Sequence, residues 1–400
     1  MTFTMKPIRI LYDEWGFQET HGGVSRLFSE VMKNLPEGFE WVLPQVFTVN
    51  EYLHDAPFNV PMARLTYGEF VRSFLRGHKF PGSNRLYHLC GKLFPMVFPA
   101  HEVLNRRARM SALKRGEYDL YHLTSAHWYS YDWRVVEGRK PFVVTVCDLI
   151  PELIEHNEMM VKFRRPLLEA AAHVIAITEH TKSDLMRLYG TPADKISVVY
   201  LGHNMGIATE PCCVNELVGS PFVLFVGKRG GYKNFSWMVR AIAPLMKETG
   251  LKIFSTGLSF SDTEKELFSE LSVTELVCQR FVSDAEMKWL FANAVCFIHP
   301  SLYEGFGIPI LDAFAAGCPV VLARASCFPE VAQNAALYFD PRDDGSELRS
   351  CLRRVMTDSG LRETLIGAGL RRVREFSWQK CAAETATVYR RVFKEWKARS

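Results

Sequence analysis

The sequence predicts an α/β protein made of two doubly wound halves, each a parallel sheet with helices packed on it. Three observations predict this. Short apolar runs alternate with stretches whose apolar residues recur at helical spacing, the mark of parallel strands joined by crossover helices. The alternation breaks once, over GIATEPCCVNELVGSP at residues 206–221, and then restarts. The chain has 400 residues, long for one hydrophobic core and ample for two domains.

The elements follow in order. IRILYDEW reads as the first strand, and GGVSRLFSEVMKNL as a helix with Val24, Leu27, Phe28 and Val31 on one face. YDLYHL, FVVTVCDLI and HVIAITE read as further strands. HTKSDLMRLYG reads as a helix stopped by Gly190, and ISVVYLG as the last strand of this half. After the break, FVLFVG, KIFSTG, AVCFIHPS and PVVLA read as strands separated by helical stretches. CAAETATVYRRVFKEWKARS is helix-forming throughout. The predicted domains are therefore residues 1–205, residues 206–380 and a terminal helix over 381–400. In open parallel sheets ligands bind outside the carboxyl ends of the strands, so two such halves facing each other would form a cleft.

Composition narrows the class. Apolar residues make up 48% and charged residues 23%, ordinary for a soluble globular protein, and the net charge of +4 is modest. Ten cysteines show no C-x-x-C pair and no zinc-like spacing, which predicts thiols in a reducing compartment. MTFTMKPIRILYDEW lacks the features of a secretory leader, and no apolar run approaches a membrane span. A cytoplasmic protein is expected.

The chemistry concentrates in HPSLYEGFGIPILDAFAAGCPVVLA, residues 299–323. It reads as strand, glycine loop, short helix, strand. Pro309 suits the first helical position, Gly317 the C-terminal cap, and Pro319 cannot continue a helix. The EGFG loop then lies at a helix N-terminus, where free N–H groups and the helix dipole favour an anion. Gly305 and Gly307 let a phosphate come close, with the amides of Gly305, Phe306, Gly307 and Ile308 around it. Glu304 sits at the strand end, where it can reach a ligand. Asp312, expected in the first turn of the helix, suits ribose hydroxyls better than a phosphate. The pair fits a nucleotide sugar. The plainer reading makes both carboxylates dipole partners of a short helix.

A second stretch favours the ligand reading. FVLFVGKRGGYKNFSWMVRAIAPLM is strand, basic glycine loop, amphipathic helix, and Arg229 and Lys233 flank its glycines. A diphosphate leaving group needs cations, and arginine binds it bidentately. A solvated basic loop is the alternative. Gly22 and Gly23, between the first strand and the first helix, repeat the strand–glycine–helix order. No D-x-D motif is present. DPRDD at 340–344 reads as a loop and helix cap, so the cations are expected to do the work of a metal.

Taken together these motifs resemble the retaining glycosyltransferases of the GT-B fold, sequence family 4. EGFGIPILDAFAAGCPVV resembles that family's signature of two carboxylates with seven residues between them. FVGKRGGYKN resembles its diphosphate site, HGGVSR its glycine pair, and FSWQKCAAETATVY its C-terminal helix, which in this fold crosses back to the first domain. The stretches GGVSRLF, CDLIPE and GKRGGYKNF look nearest to bacterial mannosyl- and rhamnosyltransferases that build surface polysaccharides. The resemblance implies an acceptor-binding first domain and a donor-binding second one. It implies a hexose, mannose favoured, moved from a nucleoside-diphosphate sugar to a lipid-linked saccharide at the inner face of the membrane. Glu304 would hold the donor sugar, Asp312 the ribose, Arg229 and Lys233 the diphosphate, and the loop at Phe281, Val282 and Ser283 the base. No cofactor is implied beyond the donor substrate, GDP-mannose favoured.

Two departures stand out. Asp312 replaces the usual glutamate. Cys147, beside Asp148, replaces a histidine that contacts the donor sugar. A sulfur there leaves two possibilities: Asp148, His122 or His127 makes the contact, or the donor is a 6-deoxyhexose such as rhamnose. A non-catalytic nucleotide-sugar binder on the same scaffold is a further alternative, against which the intact leaving-group clamp argues. So are a phosphorylase, normally a longer chain, and an epimerase, which needs no acceptor. Between residues 62 and 116 lie Arg64, Arg72, Arg76, Lys79, Arg85, Lys92, Arg106, Arg107, Arg109, Lys114 and Arg115, opposed only by Glu69 and Glu102. Interleaved with aromatics, they suit an anionic membrane surface or an ordinary solvated face. No nucleic-acid recognition motif accompanies them.

Overall fold

A computed structural model describes residues 6–61, 100–126, 133–203 and 213–399, the side chains of 100–103 excepted. Two six-stranded sheets organise the chain. The first contains β1 (Ile8–Tyr12), β2 (Phe39–Val42), β3 (Leu120–Leu123), β4 (Phe142–Val146), β5 (His173–Ala176) and β6 (Ile196–Val198), in the order β2-β1-β3-β4-β5-β6. The second contains β7 (Phe222–Phe225), β8 (Lys252–Thr256), β9 (Val277–Arg280), β10 (Cys296–His299), β11 (Val320–Ala323) and β12 (Ala336–Phe339), in the order β12-β11-β10-β7-β8-β9. The pairs with defined register are parallel throughout.

Every strand the apolar runs predicted is present. FVVTV, FVLF, CFIH and VVLA are buried along their whole length, as parallel strands covered on both faces must be. The strands not predicted are β2, β9 and β12. All three are sheet edges with half-exposed residues; β2 (FEWV) and β9 (VCQR) have no continuous apolar run to reveal them, whereas β12 (ALYF) has one and was overlooked.

The chain divides into two compact units. Met1–Thr145, Lys162–Ile175 and Ala382–Ser400 make the first; Val146–Val161 and Ala176–Cys381 make the second. In the first, Tyr389 of the C-terminal helix Trp378–Arg399 ties into the core. Its hydroxyl lies 2.8 Å from that of Tyr12 and 2.5 Å from Nδ1 of His122, whose Nε2 meets Thr145 Oγ1 at 2.8 Å. Burial pushes His122 down to about 3, so the ring is neutral. Both ring nitrogens are occupied, which removes His122 as a substitute contact for a sugar. His127 lies outside the described residues.

Two further expectations change. Part of the break at 206–221 packs: Val214 and Leu217 are buried around the short turn Asn215–Leu217, because apolar side chains sit among its polar ones. Residues 204–212 lie outside the described residues. Of the basic stretch, Arg64, Arg72, Arg76, Lys79, Arg85 and Lys92 also lie outside them. Arg109, on the helix Ala100–Arg115, is no surface charge. It is buried in an ion pair with Glu14 and stacks on Trp15. Arg106, Arg107, Lys114 and Arg115 on the same helix are exposed. Among the described residues no helix is long and apolar enough to cross a membrane.

Candidate active site

Strand order locates the sites. The second sheet starts at β7, runs outward to β8 and β9, then returns to the other side of β7 with β10. The order reverses between β7 and β10, and ligands of doubly wound sheets bind outside the carboxyl ends of the strands at that point. The loops leaving these strands carry Arg229 and Lys233 on one side and Glu304 on the other.

The structure brings Lys233 and Glu304 together. Lys233 Nζ donates to Glu304 Oε1 at 2.5 Å, and His299 Nε2 lies 3.1 Å from the same oxygen. His299 closes β10, buried, with its ring 4.8 Å from that of Phe328. The amide of Glu304 donates to Ser326 Oγ at 3.0 Å, and Ser326 has a φ of +44°. Such left-handed backbone in a non-glycine residue clusters at functional sites. Glu304 is 8% exposed. Burial alone would raise its carboxyl. The hydrogen bond and charge of His299, with the charge of Lys233, outweigh burial and hold it down to about 2. It is therefore an ionised, positioned carboxylate at neutral pH. His299 was not singled out from the sequence, although a polar residue ending a fully apolar strand at this switch point was a usable signal.

Arg229 lies in the same loop but is anchored away from Glu304. Its Nε and Nη2 bind Glu264 at 2.7 and 3.4 Å, Nη2 also reaches the Ser259 carbonyl at 2.9 Å, and the guanidinium lies 4.8 Å over the ring of Phe260. Nη1 makes a long 3.5 Å approach to Ser255 Oγ. Glu264 answers with a lowered carboxyl: burial opposes, and the Arg229 hydrogen bond prevails. This loop closes in a turn, Gly231–Lys233, and passes through left-handed Asn234 into the helix Phe235–Thr249.

The glycine loop is fixed by close approach. A Cβ on Gly305 would stand 2.0 Å from the Cys147 carbonyl oxygen, and the Gly305 carbonyl accepts from Thr178 Oγ1 at 3.1 Å. Gly305 is therefore dictated by backbone packed against backbone, not only by room for a ligand. Gly307 is the N-cap at φ +87°, where a side chain would also crowd Ile310. Phe306 points into the core, with ring centroids 6.3 Å from Tyr200 and 5.8 Å from Phe376. The helix runs Ile308–Ala315, so Ile308 and not Pro309 is its first residue. Asp312 consequently lies in the second turn, where it is buried. The first-turn expectation counted from the proline, but the left-handed glycine already starts the helix.

Cys147 follows β4 directly and is half-buried. Asp148 Oδ1 accepts from the Ile150 amide at 3.1 Å. Val282 lies between exposed Phe281 and Ser283, whose hydroxyl caps the helix Asp284–Asn293 in a capping box with Glu286. Asp343 and Asp344 cap the helix Ser346–Thr357 through the amides of Glu347 and Ser346, in agreement with a loop-and-cap reading of 340–344. In the first unit Gly22 is the N-cap and Gly23 the first residue of the helix Gly23–Lys33. That sheet reverses between β1 and β3, and buried Asp13 stands at the end of β1. Burial pushes its carboxyl up to about 6 despite hydrogen bonds from Thr124 and Trp15 and the charge of Arg109.

Two parallel doubly wound sheets, with charged loops at the switch point of the second, define the GT-B class. The crystal structure of HepE from Anabaena in complex with UDP and glucose has the same fold, with a TM-score of 0.69 at 19% identity over 96% of this chain and 99% of that one. Residues 68–205 match the family described as Glycosyltransferase Family 4, and residues 214–372 the family described as Glycosyl transferases group 1. The two matches cover most of the chain, which belongs to the group 1, family 4 glycosyltransferases. It is 27% identical to O-antigen chain mannosyltransferase B of Escherichia coli, over 74% of this chain and 80% of that protein. It is 26% identical to the MMP alpha-(1->4)-mannosyltransferase of Mycolicibacterium hassiacum, over 71% of this chain and 73% of that protein.

Proposed function

We propose that this glycosyltransferase moves a hexose, mannose favoured, from a nucleoside-diphosphate sugar to a hydroxyl of a lipid-linked saccharide, with retention, in surface-polysaccharide synthesis. The observation that carries the reading is the Lys233–Glu304–His299 cluster across the switch point of the second sheet. The two mannosyltransferase relatives support the sugar class, and the O-antigen relative the kind of acceptor. The HepE complex with UDP and glucose supports a nucleotide-sugar donor.

As the glycosidic bond breaks, negative charge grows on the leaving β-phosphate. Lys233 exchanges part of its contact with Glu304 for that phosphate, and the free amides opening the helix at Ile308 add to it. Arg229 keeps N–H capacity at Nη1 for the diphosphate and contributes its charge. Each such contact lowers the barrier by about 2–4 kcal/mol, by analogy with a single oxyanion donor. Glu304, ionised, accepts hydrogen bonds from donor-sugar hydroxyls, and Asp312 from the ribose. The leaving phosphate deprotonates the acceptor on the same face, with no protein nucleophile and no metal.

A panel of nucleotide sugars tests this. Nucleoside-diphosphate release from GDP-mannose is expected to accelerate when acceptor lipid is added, to give an α-linked product by NMR, and to be indifferent to EDTA. Inactivation by EDTA, restored by magnesium or manganese, would refute the metal-free mechanism. Release that ignores the acceptor would refute transfer.

Cys147 favours the second reading, a 6-deoxyhexose donor. Its carbonyl abuts Gly305, so it adjoins the loop that carries Glu304. A thiol is a poor hydrogen-bond partner, and a buried sugar hydroxyl facing it loses about 1–3 kcal/mol. Mannose remains preferred because Asp148 is the next residue. Wild type is expected to use GDP-mannose faster than GDP-rhamnose or dTDP-rhamnose. If wild type uses only the 6-deoxy donors and Cys147→His restores mannose, the cysteine selects the donor and the mannose reading fails.

A further inference from the structure

His299, the last residue of β10, is 3% exposed. Its ring packs on those of Phe297 and Phe328, with centroids 5.5 and 4.8 Å away. Nδ1 is buried and has no hydrogen-bond partner among the described residues. Nε2 has one, Oε1 of Glu304 at 3.1 Å. An ionised carboxylate only accepts, so Nε2 carries the proton of this bond. A buried nitrogen without a partner costs stability, and a leucine or phenylalanine in this apolar setting would avoid that cost. As a core residue His299 has no advantage over either. As a donor to Glu304 it has one.

Glu304 uses its two oxygens differently. Lys233 Nζ and His299 Nε2 both meet Oε1, whereas Oε2 has no hydrogen-bond partner among the described residues. The side chain is 11% exposed, so a ligand can reach it. The bond from the Glu304 amide to Ser326 fixes the backbone and not the carboxylate. The terminal torsion of a glutamate is broad and roughly two-fold, so the carboxylate's rotation is set by what its oxygens touch. Of the two partners of Oε1, Lys233 is a flexible ammonium that the leaving phosphate draws away. His299 stays, because a buried strand holds its backbone and two aromatic rings confine its imidazole.

We infer that His299 is a positioning residue for sugar transfer: it holds Oε1 of Glu304 while Lys233 turns to the leaving phosphate, and so keeps Oε2 presented to the donor sugar. It touches neither sugar nor phosphate and acts through Glu304 alone. The inference rests on the proposed roles of Glu304 and Lys233, and it divides between two residues a task that the ground-state contacts show as shared.

The test uses the full chain, with GDP release from GDP-mannose in the presence of acceptor lipid as the rate. His299→Phe keeps an aromatic ring and removes the N–H. His299→Leu repeats the measurement with a smaller side chain, should the phenyl ring overpack. His299→Gln puts an amide N–H where the imidazole has Nε2. Both apolar variants are expected to lower kcat by about tenfold or more, with GDP affinity and donor KM within about threefold of wild type, and His299→Gln to recover most of that loss. The loss of kcat is expected to be the same factor in wild type and in Lys233→Ala, because the lysine is on the phosphate when the bond breaks. An unchanged kcat, a loss carried by GDP affinity, no recovery with glutamine, or a loss confined to the Lys233→Ala background overturns the inference. The last outcome would show that the lysine holds Glu304 throughout. Urea unfolding tests the contact without turnover. His299→Phe is expected to destabilise wild type and to be neutral or stabilising beside Glu304→Ala, where the N–H has lost its acceptor. Equal effects in the two backgrounds overturn the inference. If wild type transfers no sugar, the proposed function fails, while opposite effects in the two backgrounds still place His299 on Glu304.

Discussion

Glu304→Gln is expected to leave nucleoside-diphosphate affinity within about threefold and to reduce sugar transfer by about 10²–10³, the cost of removing one preorganised electrostatic contact of a transition state. The substitution keeps the shape of the side chain and an acceptor oxygen for His299, so the loop has reason to stay in place. It removes the charge. That charge is present at every working pH, because His299 and Lys233 outweigh burial and hold the carboxyl down to about 2. The loss should therefore be flat across neutral pH, with no protonation step to mimic it. Lys233 loses its counter-ion, and a buried ion pair stripped of one partner destabilises. A thermal melt must accompany the rate. Transfer near wild type in a well-folded variant would remove Glu304 from the reaction.

How much of this was legible follows from where apolar pattern and special backbone coincide. The core strands were readable because VVLA or FVLF cannot be anything but covered on both faces, whereas the edge strands FEWV and VCQR carry no such run. The glycine loop was readable as a loop, and Gly307 does adopt the left-handed conformation. The reason for Gly305 was not readable, since its neighbour Cys147 is remote in sequence and only tertiary packing brings the carbonyl to it. Charge was the least legible quantity. Arg229 and Lys233 look alike in GKRGGYKN, yet one is anchored by Glu264 and the other pairs with Glu304. Arg109 looked like one more surface charge, and folding buries it against Glu14. Pairing is a long-range property, and periodicity carries no information about it.

Lys233→Ala is expected to weaken nucleoside-diphosphate binding about 10- to 100-fold, the equivalent of about 1.5–3 kcal/mol for a hydrogen bond to a charged group. Transfer is expected to fall by about 10²–10³, because the same ammonium is asked to stabilise charge that grows only in the transition state. Those two numbers separate ground-state from transition-state binding, and equal losses in affinity and kcat/KM would mean Lys233 merely holds the nucleotide. Lys233→Arg tests geometry against charge: a planar fork cannot replace a compact ammonium 2.5 Å from Glu304, so charge alone should recover affinity better than rate. Stability gives an independent check with a definite sign. A carboxyl whose pKa is lowered on folding contributes stability above its unfolded value of 4.5 and loses it as pH falls toward about 2. Without Lys233 the carboxyl rises and this contribution shrinks, though His299 still holds the same oxygen. The melting-temperature gap between wild type and Lys233→Ala should therefore be widest near neutral pH and narrow as pH falls below about 5. A gap that widens in acid would show that Lys233 and Glu304 are not coupled, and would leave the lysine no defined position from which to meet the leaving phosphate.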